Sequence, residues 1–78
     1  MSQLRDQGLL KKIALTLKAL REERNLTQEE VYNDTQIHIA RIETGNVNLS
    51  ISTLSFICAY YKISLLEFFS SSDFQIRK

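Results

Sequence analysis

Proline is absent from this 78-residue chain, glycine occurs twice and cysteine once. Without proline no helix need be broken from within, and with so few glycines most turns must be made by other residues. The lone cysteine, Cys58, excludes an internal disulfide and any metal site built on paired cysteines. His38 is the single histidine, so an imidazole metal site has no second ligand at a suitable spacing. No apolar run approaches the length that spans a bilayer, and no charged start precedes an apolar stretch in the manner of a secretory leader. The expectation is a soluble, cytoplasmic protein with no membrane partner. A glycine-rich phosphate loop, a carboxylate pair and a nucleophile–base arrangement are all missing. The chain is therefore not expected to be an enzyme, and no cofactor, metal or small-molecule ligand is implied.

Helical spacing dominates what remains. Apolar residues make up 44% of the chain, and Leu10, Ile13, Ala14, Leu17 and Leu20 recur at the period of one helix face. That pattern predicts a first helix from Leu9 to about Arg24, after a polar start from Met1 to Gly8 that frays. Arg24-Asn25 closes it, asparagine being tolerated in a left-handed cap. A fourth helix is predicted from Ile51 to Tyr61, capped by Ser50, with Ile51, Leu54, Ile57, Cys58 and Tyr61 in one stripe. Cys58 on that stripe reads as a small core residue. A fifth runs from Leu65 to Phe69, capped by Ser64, and Ser70-Ser71-Ser72 then opens a flexible tail over 70–78. Phe74 and Ile76 alternate with polar residues in that tail and could pack on a partner. The length allows one domain over 1–78, all-α, close to the lower limit for folding alone.

The remaining stretch, about 27–45, organises the rest. Thr27 with Glu30 three residues later has the spacing of a capping box, and Gln28 to Tyr32 or Asn33 forms a short second helix. Asn33, Asp34 or Thr35 caps a third helix from about Gln36 to Thr44, and Gly45 suits the left-handed residue past its end. Two short helices joined by a tight turn form a helix-turn-helix, whose second helix enters the DNA major groove.

Leu26-Thr27-Gln28-Glu29-Glu30-Val31, then Arg41-Ile42-Glu43-Thr44-Gly45, resemble the signature of the Cro/CI-type (XRE) helix-turn-helix family. Asn48-Leu49-Ser50-Ile51-Ser52-Thr53-Leu54 and Ile63-Ser64-Leu65-Leu66-Glu67-Phe68-Phe69 continue the resemblance, which runs from roughly Leu10 to Phe69. It implies a compact five-helix bundle of the lambda-repressor-like DNA-binding type. It also implies that Gln28 bonds a phosphate and that Glu43 pairs within the domain. Two departures stand out. Tyr32-Asn33-Asp34-Thr35 is shorter than the family's usual turn and holds no glycine, and Lys62 replaces a helix-ending glycine.

On the third helix Ile39 and Ile42 face inward, which leaves Gln36, Ile37, His38, Ala40, Arg41 and Thr44 for other faces. Gln36 could bond adenine and Arg41 guanine or a phosphate, while Ile37 and Ala40 suit thymine methyl groups. His38 reads as a surface or phosphate-facing imidazole. Asn46 and Asn48 follow in a loop, where their amides serve local turns or the duplex. Arg41 pairing with Glu43, and Gln36 acting only near a cap, are the plain alternatives.

Charge sets a constraint. The net charge is +1, with Arg5, Lys11, Lys12, Lys18, Arg21 and Arg24 gathered in residues 1–25 against Asp6, Glu22 and Glu23. Residues 26–50 hold Arg41 alone against Glu29, Glu30, Asp34 and Glu43. Phosphate contacts would then come partly from Lys11, Lys12 and Lys18 of the first helix. Leu65, Leu66, Phe68 and Phe69 cannot all enter so small a core. Leu66, Phe68 and Phe69, with Phe56 and Tyr60, are expected to form an exposed apolar patch within 56–69, and the resemblance implies that such a surface joins two subunits. The reading is a homodimeric, sequence-specific regulator of transcription on a near-palindromic double-stranded DNA site. The alternative is a helix-turn-helix-derived protein-interaction module with weak or no DNA binding.

Overall fold

The computed structural model describes residues 6–70, and the tail residues Phe74 and Ile76 lie outside them. The described residues form five helices and no strand. The chain divides into two compact units, 1–48 and 49–78.

The first unit holds α1 (Gln7–Glu23), α2 (Gln28–Thr35) and α3 (Ile39–Ile42). The first helix starts earlier than its apolar spacing predicts, because Asp6 caps it, its carboxylate accepting from the Leu9 amide at 3.0 Å. Ile13, Ala14, Leu17 and Arg21 are its buried residues. Arg24 and Asn25 close the helix as expected, with Asn25 left-handed at φ 57°. At the start of α2 the capping box is complete: Thr27 Oγ1 accepts from the Glu30 amide at 3.0 Å, and Glu30 Oε1 accepts from the Thr27 amide at 2.8 Å.

Two helix boundaries differ from the sequence reading. The second helix runs on to Thr35, and Gln36 is its left-handed C-cap at φ 63°, so Gln36 does not open the third helix. Thr35 explains the extension. Its hydroxyl donates to the Val31 carbonyl at 2.7 Å and accepts from the Ile37 amide at 3.1 Å, ending one helix and bracing the turn beyond it. The third helix is correspondingly short, Ile39–Ile42, preceded by His38 without a side-chain cap. Its chain continues as a tightened turn, the Thr44 amide bonding the Arg41 carbonyl and the Gly45 amide the Ile42 carbonyl. Helices α2 and α3 pack on each other, and Val31, Ile39 and Ile42 are buried.

Two features favour glycine at position 45. Its φ is +78°, and a Cβ there would lie 3.1 Å from Lys11 Cδ and 3.3 Å from Lys11 Cα. The loop after α3 thus rests against the stem of Lys11 on α1.

An ion pair ties the ends of this unit. Arg21 Nε donates to Glu43 Oε2 at 2.8 Å, Arg21 Nη2 to Glu43 Oε1 at 3.1 Å, and Arg21 Nη1 to the Leu26 carbonyl at 2.8 Å. Both side chains are nearly buried, at 10% and 4% exposure. The bond is bidentate and charge-assisted, the strong class of such contacts.

The second unit holds α4 (Ile51–Tyr60) and α5 (Leu65–Phe69), which pack on each other. Ser50 caps the first, and Ser64 caps the second in a capping box with Glu67. Leu54, Ile57, Cys58, Tyr61 and Phe68 are buried. Ile51 is not: it is 65% exposed, because it is the first residue of its helix and the stripe begins one turn later. Burial pushes the Cys58 thiol pKa up, which favours the protonated thiol of a core residue. Lys62 is left-handed at φ 63°, the conformation that a helix-ending glycine takes readily.

Two stability outcomes follow. Arg21→Ala leaves Glu43 buried without its cation and should cost about 3–5 kcal/mol. Arg21→Met with Glu43→Leu should recover most of that loss, as read in denaturant midpoints of the single and double variants. Lys62→Gly removes the left-handed penalty and should raise stability by about 1 kcal/mol, or roughly 4–8 °C in melting temperature for a domain of this size.

Candidate nucleic-acid interface

The helix-turn-helix segment belongs entirely to the first unit, and its geometry is set from three sides. The Arg21–Glu43 pair fixes the C-terminal end of α3 to α1, and Gln28 Nε2 donates to the same Glu43 Oε1 at 2.8 Å. A carboxylate only accepts, so the Gln28 amide must turn its nitrogen inward. The first residue of α2 and the first residue past α3 are thereby joined. Gln28 itself stays exposed, with backbone amides of the helix start beside it.

Arg41 does not pair with Glu43. The two stand two positions apart, a spacing that does not turn side chains toward each other, and Glu43 points inward to Arg21 and Gln28. Arg41 is exposed, and its guanidinium has no hydrogen-bond or ion-pair partner among the described residues. Ala40 beside it is exposed as well, while Ile39 and Ile42 are buried as the spacing required.

The turn before α3 carries Gln36, Ile37 and His38. Gln36 is exposed, and its side-chain amide makes a long 3.5 Å contact with the Tyr32 carbonyl. Ile37 is half-buried, and His38 is exposed with its ring 4.7 Å from that of Tyr32, tilted by 32°. Past the helix, the Thr44 hydroxyl donates to the Arg41 carbonyl at 2.6 Å and accepts from the Asn46 amide at 3.2 Å. Thr44 is therefore used within the turn. Asn46 and Asn48 are exposed, and their side-chain amides are uncommitted among the described residues.

The first helix contributes more than its charge count indicated. The Lys11 stem lies against Gly45, at the turn that follows α3. Lys11, Lys12 and Lys18 are all exposed. What the sequence reading missed is the destination of Arg21, which it counted with the surface cations. A signal was available: Arg21 stands four residues after Leu17, on the buried stripe, where a cation must find a carboxylate.

In the second unit, Phe56 and Leu66 are 53% and 79% exposed, and Tyr60 and Phe69 are half-buried. Phe68 is 1% exposed, so it belongs to the interior and drops out of the expected apolar patch. It lies one turn beyond the Ser64 cap, and its amide bonds the Ser64 carbonyl at 2.9 Å. Among the described residues no group of three or more His, Cys, Asp or Glu side chains could hold a metal ion, and no helix is long and apolar enough to cross a membrane.

Comparison with known proteins agrees with this geometry at the level of the family. A helix-turn-helix family profile matches residues 17–68, from the middle of α1 through Phe68. No curated protein and no solved structure matches the chain. The matched span contains the capped α2, the α3 segment, α4 and all of α5 but its last residue, Phe69. The chain belongs to the Cro/CI-type (XRE) helix-turn-helix family of non-enzymatic DNA-binding domains, with their lambda-repressor-like all-α fold.

Proposed function

We propose that the chain is a sequence-specific transcriptional regulator, acting as a cytoplasmic homodimer on a near-palindromic duplex site. The observation that carries this reading is Arg41. Its side chain stands exposed on α3, opposite the buried Ile39 and Ile42, with no partner among the described residues. Exposed Ala40, Gln36 and His38 lie within a few residues, so a short segment offers both polar and apolar groups to base edges. Lys11, whose stem lies against Gly45, together with Lys18, Asn46, Asn48 and the second N–H of the Gln28 amide, supplies candidates for phosphate contact. The family profile runs across both compact units, which supports treating residues 1–78 as one functional domain.

The dimer rests on different residues. Phe56 and Leu66 expose large apolar side chains, with Tyr60 and Phe69 partly exposed, and exposed apolar surface favours a protein partner. A second copy is the partner that a paired recognition segment requires, with half-sites centred roughly 34 Å apart, one turn of duplex.

Selection of bound duplexes from a random library tests the regulator directly. An inverted repeat with steep salt dependence is expected. Arg41→Ala should then cost roughly 1–3 kcal/mol of discrimination at one base pair of each half-site. Lys11→Ala and Lys18→Ala should weaken all duplexes about equally, each reducing the salt slope by roughly one. No enrichment, with negligible binding at low salt, would favour the protein-interaction reading, which the acidic balance of residues 26–50 supports. Leu66→Ser combined with Phe56→Ser should convert the dimer to a monomer in sedimentation equilibrium. Unchanged mass would remove this surface from the interface.

A further inference from the structure

Both exposed side chains of the turn before α3 lead back to one residue. The Gln36 amide donates to the Tyr32 carbonyl at 2.7 Å, and the Gln36 side chain reaches the same oxygen at 3.5 Å. The His38 ring lies against the Tyr32 ring at 4.7 Å. Gln36 is held in a left-handed conformation, at φ 63°, and His38 precedes α3 without a side-chain cap. Nothing else among the described residues takes a polar or ring contact from the His38 side chain. An exposed imidazole in such a place would sample several rotamers, and an aromatic neighbour at this separation selects among them.

We infer that Tyr32 is a positioning residue for DNA recognition: its ring presets the His38 imidazole at the entrance to α3, while its carbonyl fixes Gln36 beside it. This rests on the proposed reading that the turn and α3 face the duplex. Tyr32 need not touch DNA itself. It removes in advance the side-chain freedom that His38 would otherwise lose on binding. The phenol oxygen has no part in the ring contact, and the carbonyl survives any substitution of the side chain. The two contributions can therefore be separated.

The test is a double-mutant cycle on discrimination, defined as affinity for the selected duplex over affinity for a scrambled duplex, at a temperature where every variant is folded. Tyr32→Ala should lower discrimination about two- to ten-fold, the range an aromatic pair contributes, with scrambled-duplex affinity unchanged. Tyr32→Phe should behave as the unsubstituted chain. In a His38→Ala background, Tyr32→Ala should cause no further loss, because the ring would have nothing left to position. In the free protein, the ring-proton NMR signals of His38 should shift downfield in Tyr32→Ala and stay in place in Tyr32→Phe.

Additive losses at Tyr32 and His38, an equal loss on both duplexes, or unmoved His38 signals would overturn the inference while leaving the DNA reading intact. Failure of the unsubstituted chain to select any duplex would overturn both. The His38 signals would then still report whether the two rings meet in solution.

Discussion

The carboxylate of Glu43 is where three stretches of the chain meet. Arg21 reaches it from the last turn of α1, Gln28 from the first residue of α2, and Glu43 itself stands just past α3. A four-residue helix such as α3 cannot hold its own conformation in water, since helix nucleation is unfavourable and propagation too brief to repay it. Its position is therefore set by what grips it. Ile39 and Ile42 anchor one side by burial, and Glu43 anchors the end by charge. A buried ion pair is weak evidence for stability as such, because desolvation offsets much of its attraction. Its direction is another matter: a bidentate guanidinium–carboxylate pair tolerates little rotation, and so fixes the angle between the helices it joins.

The same pair alters the charge argument. By count, residues 26–50 are acidic, with Glu29, Glu30, Asp34 and Glu43 against Arg41, an arrangement unfavourable to a polyanion. Two of those carboxylates are committed within the fold. Glu43 is neutralised by Arg21, and Glu30 is turned toward the Thr27 amide of its own capping box. The cation that a sequence count assigns to the surface is spent inside, and so is the anion that seemed to oppose DNA. Local net charge read from sequence therefore misstates the field that a duplex would meet.

Much of the fold was legible because its signals are local. Asparagine at position 25 and serine at 50 and 64 mark helix ends whose capping chemistry depends only on neighbouring residues, whereas Gly45 is left-handed as expected but three residues past the end of α3. The turn between α2 and α3 was read less well. Its sequence, Asn33-Asp34-Thr35-Gln36, holds several residues that could start a helix, and periodicity alone does not choose among them. Thr35 bonds backward to Val31 and forward to Ile37, so it ends one helix where it was expected to begin the next. The left-handed residue then falls on Gln36, a type with no strong preference for that region. Propensity carries no signal there, and tertiary anchoring of Ile39 decides.

At the candidate interface the division is similar. Exposure of Ala40 and Arg41 follows from the burial of Ile39 and Ile42, two residues whose spacing the sequence displays. The inward turn of Glu43 to Arg21, twenty-two positions away, does not follow from spacing. Nor does the nearness of Lys11 to the loop after α3, which depends on the absence of a side chain at Gly45. Both facts are long-range, and both act in the same sense. The first neutralises a carboxylate within the segment and the second brings a lysine stem against it, in a chain whose overall charge is close to neutral. A domain this small can recognise a polyanion without being strongly basic if its few cations are placed by packing rather than by number.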